Sequence, residues 1–197
     1  LIDPAVLAVT GPDAIVDWVM LALRTDYDPT LRKNIRMALL QRDGDVVDLA
    51  GTSPVRFSEV PDAFFLEIRH RNHLGIMTAS PLAEVATGTL ITVDFTSPAT
   101  VCYGTNAREQ SGSRMLMWAG NTLNNGSLSY TGSGNDRDRI LVAISSTTPN
   151  GTLPGYRVED VNLNGSVTYT GPSNDRDPIL VNIGSTTANA VRIEQVP

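Results

Sequence analysis

The sequence predicts a mainly β protein: an antiparallel β-sandwich of immunoglobulin-like size, followed by a small module of two loop–helix repeats. Two observations predict it. Residues 12–100 hold about seven short apolar runs separated by Gly, Pro and Asp, and none has a 3.6-residue period. From residue 121 a 28-residue unit recurs at an offset of 39, with 17 positions identical. The expected organisation is an N-terminal strand or arm (1–11), the sandwich (12–100) and a connecting segment (101–118). Tandem repeats (119–197, units at 119–148 and 158–187) with an extended tail complete it.

The first strand is the apolar run 15–23, and 35–41 is the second. Asp43-Gly44 separates it from 46–49, a hairpin signal of the type I′ kind because glycine accepts positive φ. Residues 55–57 form a short strand closed by Pro61. Residues 63–70 alternate, with Phe64, Leu66 and Ile68 on one face. Residues 76–78 and the alternating run 90–95 complete the set.

Of 197 residues, 15 are basic and 21 acidic, a net charge of −6. Such a chain lacks the electrostatic footprint of a nucleic-acid binder. The single cysteine, Cys102, excludes an internal disulfide and a Cys-rich zinc site. No run approaches 18 apolar residues, so no membrane span is expected. The start at Leu1-Ile2-Asp3 reads as a processed or excised piece.

In the repeats, Asn135 and Asn174 read as helix N-caps, with Asp in the first turn favoured by the helix dipole. The stripes Ile140/Leu141/Ile144 and Ile179/Leu180/Ile183 are too short to bury themselves alone and are expected to pack on one another or on the sandwich. Ahead of the second helix, Asp160, Asn162 and Asn164 stand at positions 1, 3 and 5, with Gly165 at 6 and Val167 at 8. That spacing is the front half of an EF-hand calcium loop, in which alternate side chains point into the turn. Position 12 is Gly171, so carboxylates are expected from Asp175 and Asp177, beside the backbone of Ser166. The first copy is poorer: Asn121 at position 1, Leu123 at 3, then Asn125, Ser127, and Asp136 or Asp138. Calcium is thus the expected ion, held at the weak extracellular end of the range, roughly 10⁻⁴–10⁻³ M. The competing reading is turn chemistry, since Asn-Gly-Ser makes turns without a metal.

The doubled unit is similar to dockerin modules. With Tyr-Thr-Gly and Asn174-Asp175-Arg176-Asp177-Pro178-Ile179-Leu180-Val181 it resembles the C-terminal repeats of large secreted surface proteins of Bacteroidota. Residues 41–48 and 69–74 resemble the domain that precedes those repeats. The resemblance implies an extracellular, modular, exported protein.

Three sequons, at Asn125, Asn150 and Asn164, are candidate glycosylation sites. His70 and His73 sit among Arg69 and Arg71, a cluster expected to pair with Asp43, Asp45 and Asp48 or to form a contact surface. No catalytic motif is present, so an enzyme is not expected. Ile2, Val6, Leu7 and Val9 make an apolar arm, and residues 191–196 an apolar tail. Free apolar strands tend to be buried by pairing with a sheet edge. The expectation is a subunit of an extracellular or cell-surface fibre, a head-to-tail homopolymer built by donation of that arm, with glycans as further partners. The alternatives are a docking or surface-attachment module and a carbohydrate-binding sandwich.

Overall fold

The computed structural model describes residues 2–86 and 89–197. The chain is mainly β, as expected. Its first part is one curled antiparallel sheet. The strands are β1 (Ile15–Thr25), β2 (Arg32–Gln41), β3 (Val46–Val47), β4 (Ala63–Arg69), β5 (Ile76–Met77) and β6 (Leu82–Ala83). Their order is β3-β2-β1-β4-β5, with β6 also on β4. Central β1 pairs with β2 from Ile15↔Gln41 to Arg24↔Arg32, and with β4 from Met20↔Arg69 to Thr25↔Phe64. Its last five residues, Leu21–Thr25, are buried on both faces of the strand, which is why Leu21, Ala22 and Leu23 follow one another without polar alternation.

Among the described residues the core face of this sheet is covered by loops and one two-stranded hairpin, not by a second large sheet. One face packs Val19, Leu21, Ala38, Ile68 and Ile76 against Cys102, Phe95, Ala107 and Met117. Those last four come from a loop and from the hairpin β7 (Arg108–Ser111)–β8 (Arg114–Met117). Residues 55–57 and 90–95, read as strands, join no ladder; they still place Val55, Phe57 and Phe95 against the core. The Arg108 guanidinium takes the carbonyls of Phe95, Ser97 and Thr100, so side-chain donors replace a neighbouring strand there. The hairpin at Asp43-Gly44 is confirmed, with a different turn. Only Gly44 has positive φ (102°), and its N–H bonds to the Gln41 carbonyl while the Gln41 N–H bonds to Asp45. That is a type I turn followed by a glycine bulge, one residue longer than type I′.

The arm is not extended in this structure. Residues Pro4–Leu7 form one helical turn (α1), capped by Asp3, whose carboxylate accepts the Ala5 N–H at 2.9 Å, with Pro4 at the first position where its missing N–H costs nothing. Ile2, Val6, Leu7 and Val9 therefore do not line one strand face; Val6 leans on Gly51, and Leu7 and Val9 are exposed.

The repeat body is built crosswise. Each copy supplies a strand and a helix: β9 (Ser127–Ser129) and α2 (Asp136–Ala143), then β11 (Ser166–Thr168) and α3 (Arg176–Asn182). After each helix comes a further strand, β10 (Thr152–Pro154) and β12 (Val191–Ile193), again 39 residues apart. β10 pairs with β11, and β12 pairs with β9, in equivalent registers (Leu153↔Val167, Arg192↔Leu128). So the strand following each helix completes the other copy. The side chains repeat the pattern: the Thr131 hydroxyl donates to the Ala188 carbonyl at 3.1 Å, and that of Thr170 to Pro149 at 3.2 Å. Ile140, Ile144, Val161, Val167 and Ile179 share one buried cluster, so the two helical stripes do meet.

Candidate functional site

The candidate ligands are placed by two bonds that recur in both copies. The Asn135 Oδ1 accepts the Asp138 N–H at 2.9 Å, and Asn174 Oδ1 accepts the Asp177 N–H at 2.9 Å, so both asparagines cap their helices as expected. The next residue turns inward. Asp136 and Asp175 are fully buried. The Asp136 carboxylate accepts the N–H groups of Leu123 (3.2 Å) and Ser129 (2.9 Å); that of Asp175 accepts Val161 (2.7 Å), Asn162 (3.2 Å) and Thr168 (2.7 Å). Each carboxylate thus ties its own loop and strand to its helix. Burial pushes both carboxyl pKa values up, with the backbone N–H bonds pulling the other way.

At position 1, the Asp160 oxygens accept the N–H groups of Asn164 (3.0 Å) and Gly165 (2.9 Å). Its counterpart Asn121 keeps the first bond, from Asn125 at 3.1 Å. The Asn121 Nδ2 is the one buried side-chain nitrogen or oxygen without a partner among the described residues. Asn162 Oδ1 accepts the Asn164 N–H, Asn164 Oδ1 that of Ser166, and Asn125 Oδ1 that of Ser127. The backbone keeps the same turn even where residues differ: Asn124 and Leu163 have φ of 52° and 59°.

The oxygens expected to hold calcium therefore already accept hydrogen bonds within their own loops. Among the described residues no three His, Cys, Asp or Glu side chains gather where an ion could sit. Asp138 and Asp177 point outward and pair with Arg137 and Arg176. What the second copy does bring together is a cleft of about 650 Å³, lined by Asn162, Asn164, Asn174 and Asp177 with Glu109 and Val181. Leu123 occupies the place of Asn162 in the first copy. Asn125, Asn150 and Asn164 are all exposed, although Asn150 Oδ1 accepts the Thr170 hydroxyl at 2.8 Å in the crosswise link.

Two clusters outside the repeats were not legible in the sequence. Glu67 on β4 is fully buried among arginines: Arg24 Nε at 2.7 Å, Arg32 Nε at 2.8 Å, and Arg69. Burial raises its pKa, but the Arg32 and Arg24 bonds outweigh that and hold the carboxyl at about 2. The chain then returns to this cluster. Glu194 pairs with Arg69 and accepts the Gly75 N–H at 2.7 Å, Val196 packs on Phe65 and Met77, and the Pro197 carbonyl accepts from Arg24 at 2.7 Å. Residues 191–197 therefore strap the repeat body to the sheet.

The second cluster is the joint at residues 70–74. His70 and Arg71 pair with Asp17 on β1, not with Asp43, Asp45 and Asp48 as expected. Burial raises the Asp17 pKa, and the bonds from His70 and Tyr156 overcome that and hold it below the usual carboxylate range. Asn72 is fully buried; its Nδ2 donates to the carbonyls of Val158 (3.0 Å) and Asp160 (2.7 Å), and its own carbonyl accepts the N–H groups of Gly120 and Asn121. One asparagine thus grips the approach to both repeats.

No protein-family model, characterised protein or solved structure matches the chain. No helix among the described residues is long and apolar enough to cross a membrane.

Proposed function

We propose that the chain is a non-enzymatic structural subunit of an extracellular or cell-surface fibre, joined head to tail with copies of itself. The observation that carries this reading is where the polar side chains are spent. Asp136, Asp175, Asp160, Asn72 and Glu67 are all buried, and each ties one segment to another. Crosswise strands and the 191–197 strap add further ties, so the body resists being pulled apart. Such an arrangement suits a protein that transmits force or spacing.

The arm remains the donor in this proposal. Four helical residues are marginal by themselves, so unwinding α1 costs little, and Leu7 and Val9 are already exposed. Negative-stain imaging and sedimentation of the purified chain test the reading. Filaments are expected from the intact chain, and monomers after deletion of residues 2–10. Calcium enters only at the second loop, through Asp160, Asn162, Asn164 and Asp177. Calorimetric titration should show weak binding that Asp160→Ala abolishes and Asn121→Ala leaves in place; no heat at millimolar calcium removes the ion from the proposal.

A docking module is the second reading. It is favoured by an apolar sheet face on which Trp18, Ile35 and Met37 are 43%, 49% and 39% exposed. A chain that stays monomeric at high concentration decides for it.

A further inference from the structure

We propose that the His70–His73 pair is an acid-sensitive latch between the sheet and the repeat body, closed only while a single proton lies between the two facing Nδ1 atoms. The Nδ1 atoms of the two rings face one another at 2.7 Å. At that distance one nitrogen must donate and the other accept. Their neighbours decide which. The Asn72 amide is oriented without ambiguity, because its Nδ2 donates to two backbone carbonyls. Its Oδ1 is therefore the atom lying 2.9 Å from His73 Nδ1, and it requires a proton there. So His73 carries its proton on Nδ1, and His70 Nδ1 is the acceptor. The His70 proton sits on Nε2, aimed at Asp17 Oδ2 at 3.0 Å. Both rings are then neutral: the His73 Nδ1 proton lies between two acceptors, His70 Nδ1 and Asn72 Oδ1, and Arg71 Nη1, 3.1 Å from His70 Nε2, donates to the Asp17 carboxylate that it shares with that ring and not to the ring itself.

A second proton has two places to go, and each breaks something. On His70 Nδ1 it meets the His73 Nδ1 proton; His73 must switch tautomer, and its bare Nδ1 then faces the Asn72 oxygen. On His73 Nε2 it creates a cation beside Arg71, beneath the turn. The charged and titratable groups facing the pair are Asp17 from β1, Arg71 from the same turn, and Tyr156 from the segment before the second repeat. Tyr156 donates to Asp17 and stacks under Arg71, whose Nη2 lies 4.0 Å from Asp160. Burial, then the neighbouring His70 and Arg71, hold the His73 pKa down at about 3. The sign follows: a depressed histidine favours the folded joint above its ordinary pKa of 6.5, and that advantage is lost as pH falls below it. Asp136 and Asp175, with raised pKa values, act in the opposite direction.

The released element would be Asn72, and through it the grip on Gly120, Asn121, Val158 and Asp160. Nitrogen-15 NMR of the whole chain at pH 7.5 should show His73 as the Nδ1–H tautomer and His70 as Nε2–H. Between pH 7 and 5.5, exchange protection of the Gly120 and Asn121 amides should fall relative to that of Leu21 in the sheet, by up to about tenfold per pH unit for one proton taken up. His70→Gln and His73→Gln should each flatten that dependence. Opposite tautomers, protection that does not change with pH, or a slope unaltered in both variants would overturn the latch. The tautomer measurement stands even if neither variant folds.

Discussion

The two repeats differ at fewer than half their positions, and the longest run of differences is at the start of the loop, 121–124 against 160–163. Everything that joins loop to helix is retained in kind: the capping asparagines, the inward Asp136 and Asp175, and Tyr130 and Tyr169 under Arg137 and Arg176 at 5.0 and 5.1 Å. Two of the positions that would hold an ion are not: Asn121 stands for Asp160 and Leu123 for Asn162. The lesson is that the loop keeps its shape without a full ligand set. The carboxylate that organises it comes from the helix start and binds backbone N–H groups, which neither copy can lose. Ligand positions are free to drift once that bond exists.

The crosswise strands make the strongest demand on this comparison. If each copy is completed by the other, damage to one must be felt in both. Ile140 and Ile179 are both fully buried in the shared cluster. Ile179→Ala should cost about 2–5 kcal/mol, and Ile140→Ala about as much. Urea unfolding gives the magnitude, and hydrogen exchange its distribution. Protection should fall at Leu128 and Val167 alike in either variant. A loss confined to the mutated copy would mean that the copies fold independently.

A smaller effect ranks the copies. Asp175 makes three backbone bonds, two of them at 2.7 Å, whereas the shorter of the two backbone bonds of Asp136 is 2.9 Å. Replacing either by Asn leaves buried N–H groups facing an amide N–H₂, at a cost of about 1–3 kcal/mol. Asp175→Asn should be the worse of the two by thermal denaturation. Because burial raises both carboxyl pKa values, the folded state takes up protons before the unfolded one. The wild type should therefore gain on either variant as pH falls from neutral toward the carboxylate range. Equal cost in both copies would show that bond length does not matter here.

Much of this body was legible in the sequence and some was not, for physical reasons. The repeat, the N-caps and strands β1, β2 and β4 announce themselves through identity, capping chemistry and apolar runs. The exchanged strands do not: Thr152-Leu153-Pro154 and Val191-Arg192-Ile193 share no residue, and three residues carry no periodicity. Asp136 and Asp175 read as helix-start acids and calcium ligands, because the backbone N–H groups that they bind lie in the loop and strand upstream and form no local motif with them. Residues 90–95 alternate like a strand, yet Arg108 supplies donors that a neighbouring strand would have supplied. Asp17 lies on β1 and His70 just past the end of β4, so their pairing follows from the sheet and from no local motif.

The smallest expected effect concerns the clearest difference between the copies. Asp160 satisfies two backbone donors, those of Asn164 and Gly165, while Asn121 satisfies one and leaves its own Nδ2 unpaired. Asn121→Asp removes the orphaned donor and offers an acceptor to the N–H of Gly126, the counterpart of Gly165. Against this stands a new buried charge close to Asp136, with no counterpart of Arg71, which approaches Asp160 to 4.0 Å. The two terms nearly cancel, and a net gain below about 1 kcal/mol is expected at neutral pH, since a satisfied pair is worth about that much. The reverse change, Asp160→Asn, should cost more than Asn121→Asp gains, because it also leaves Arg71 without its distant partner. Chemical denaturation of both variants measures the pair. A destabilised Asn121→Asp would mean that the first loop has adapted to its amide, and that the two copies are held by different balances of charge despite their matching backbones.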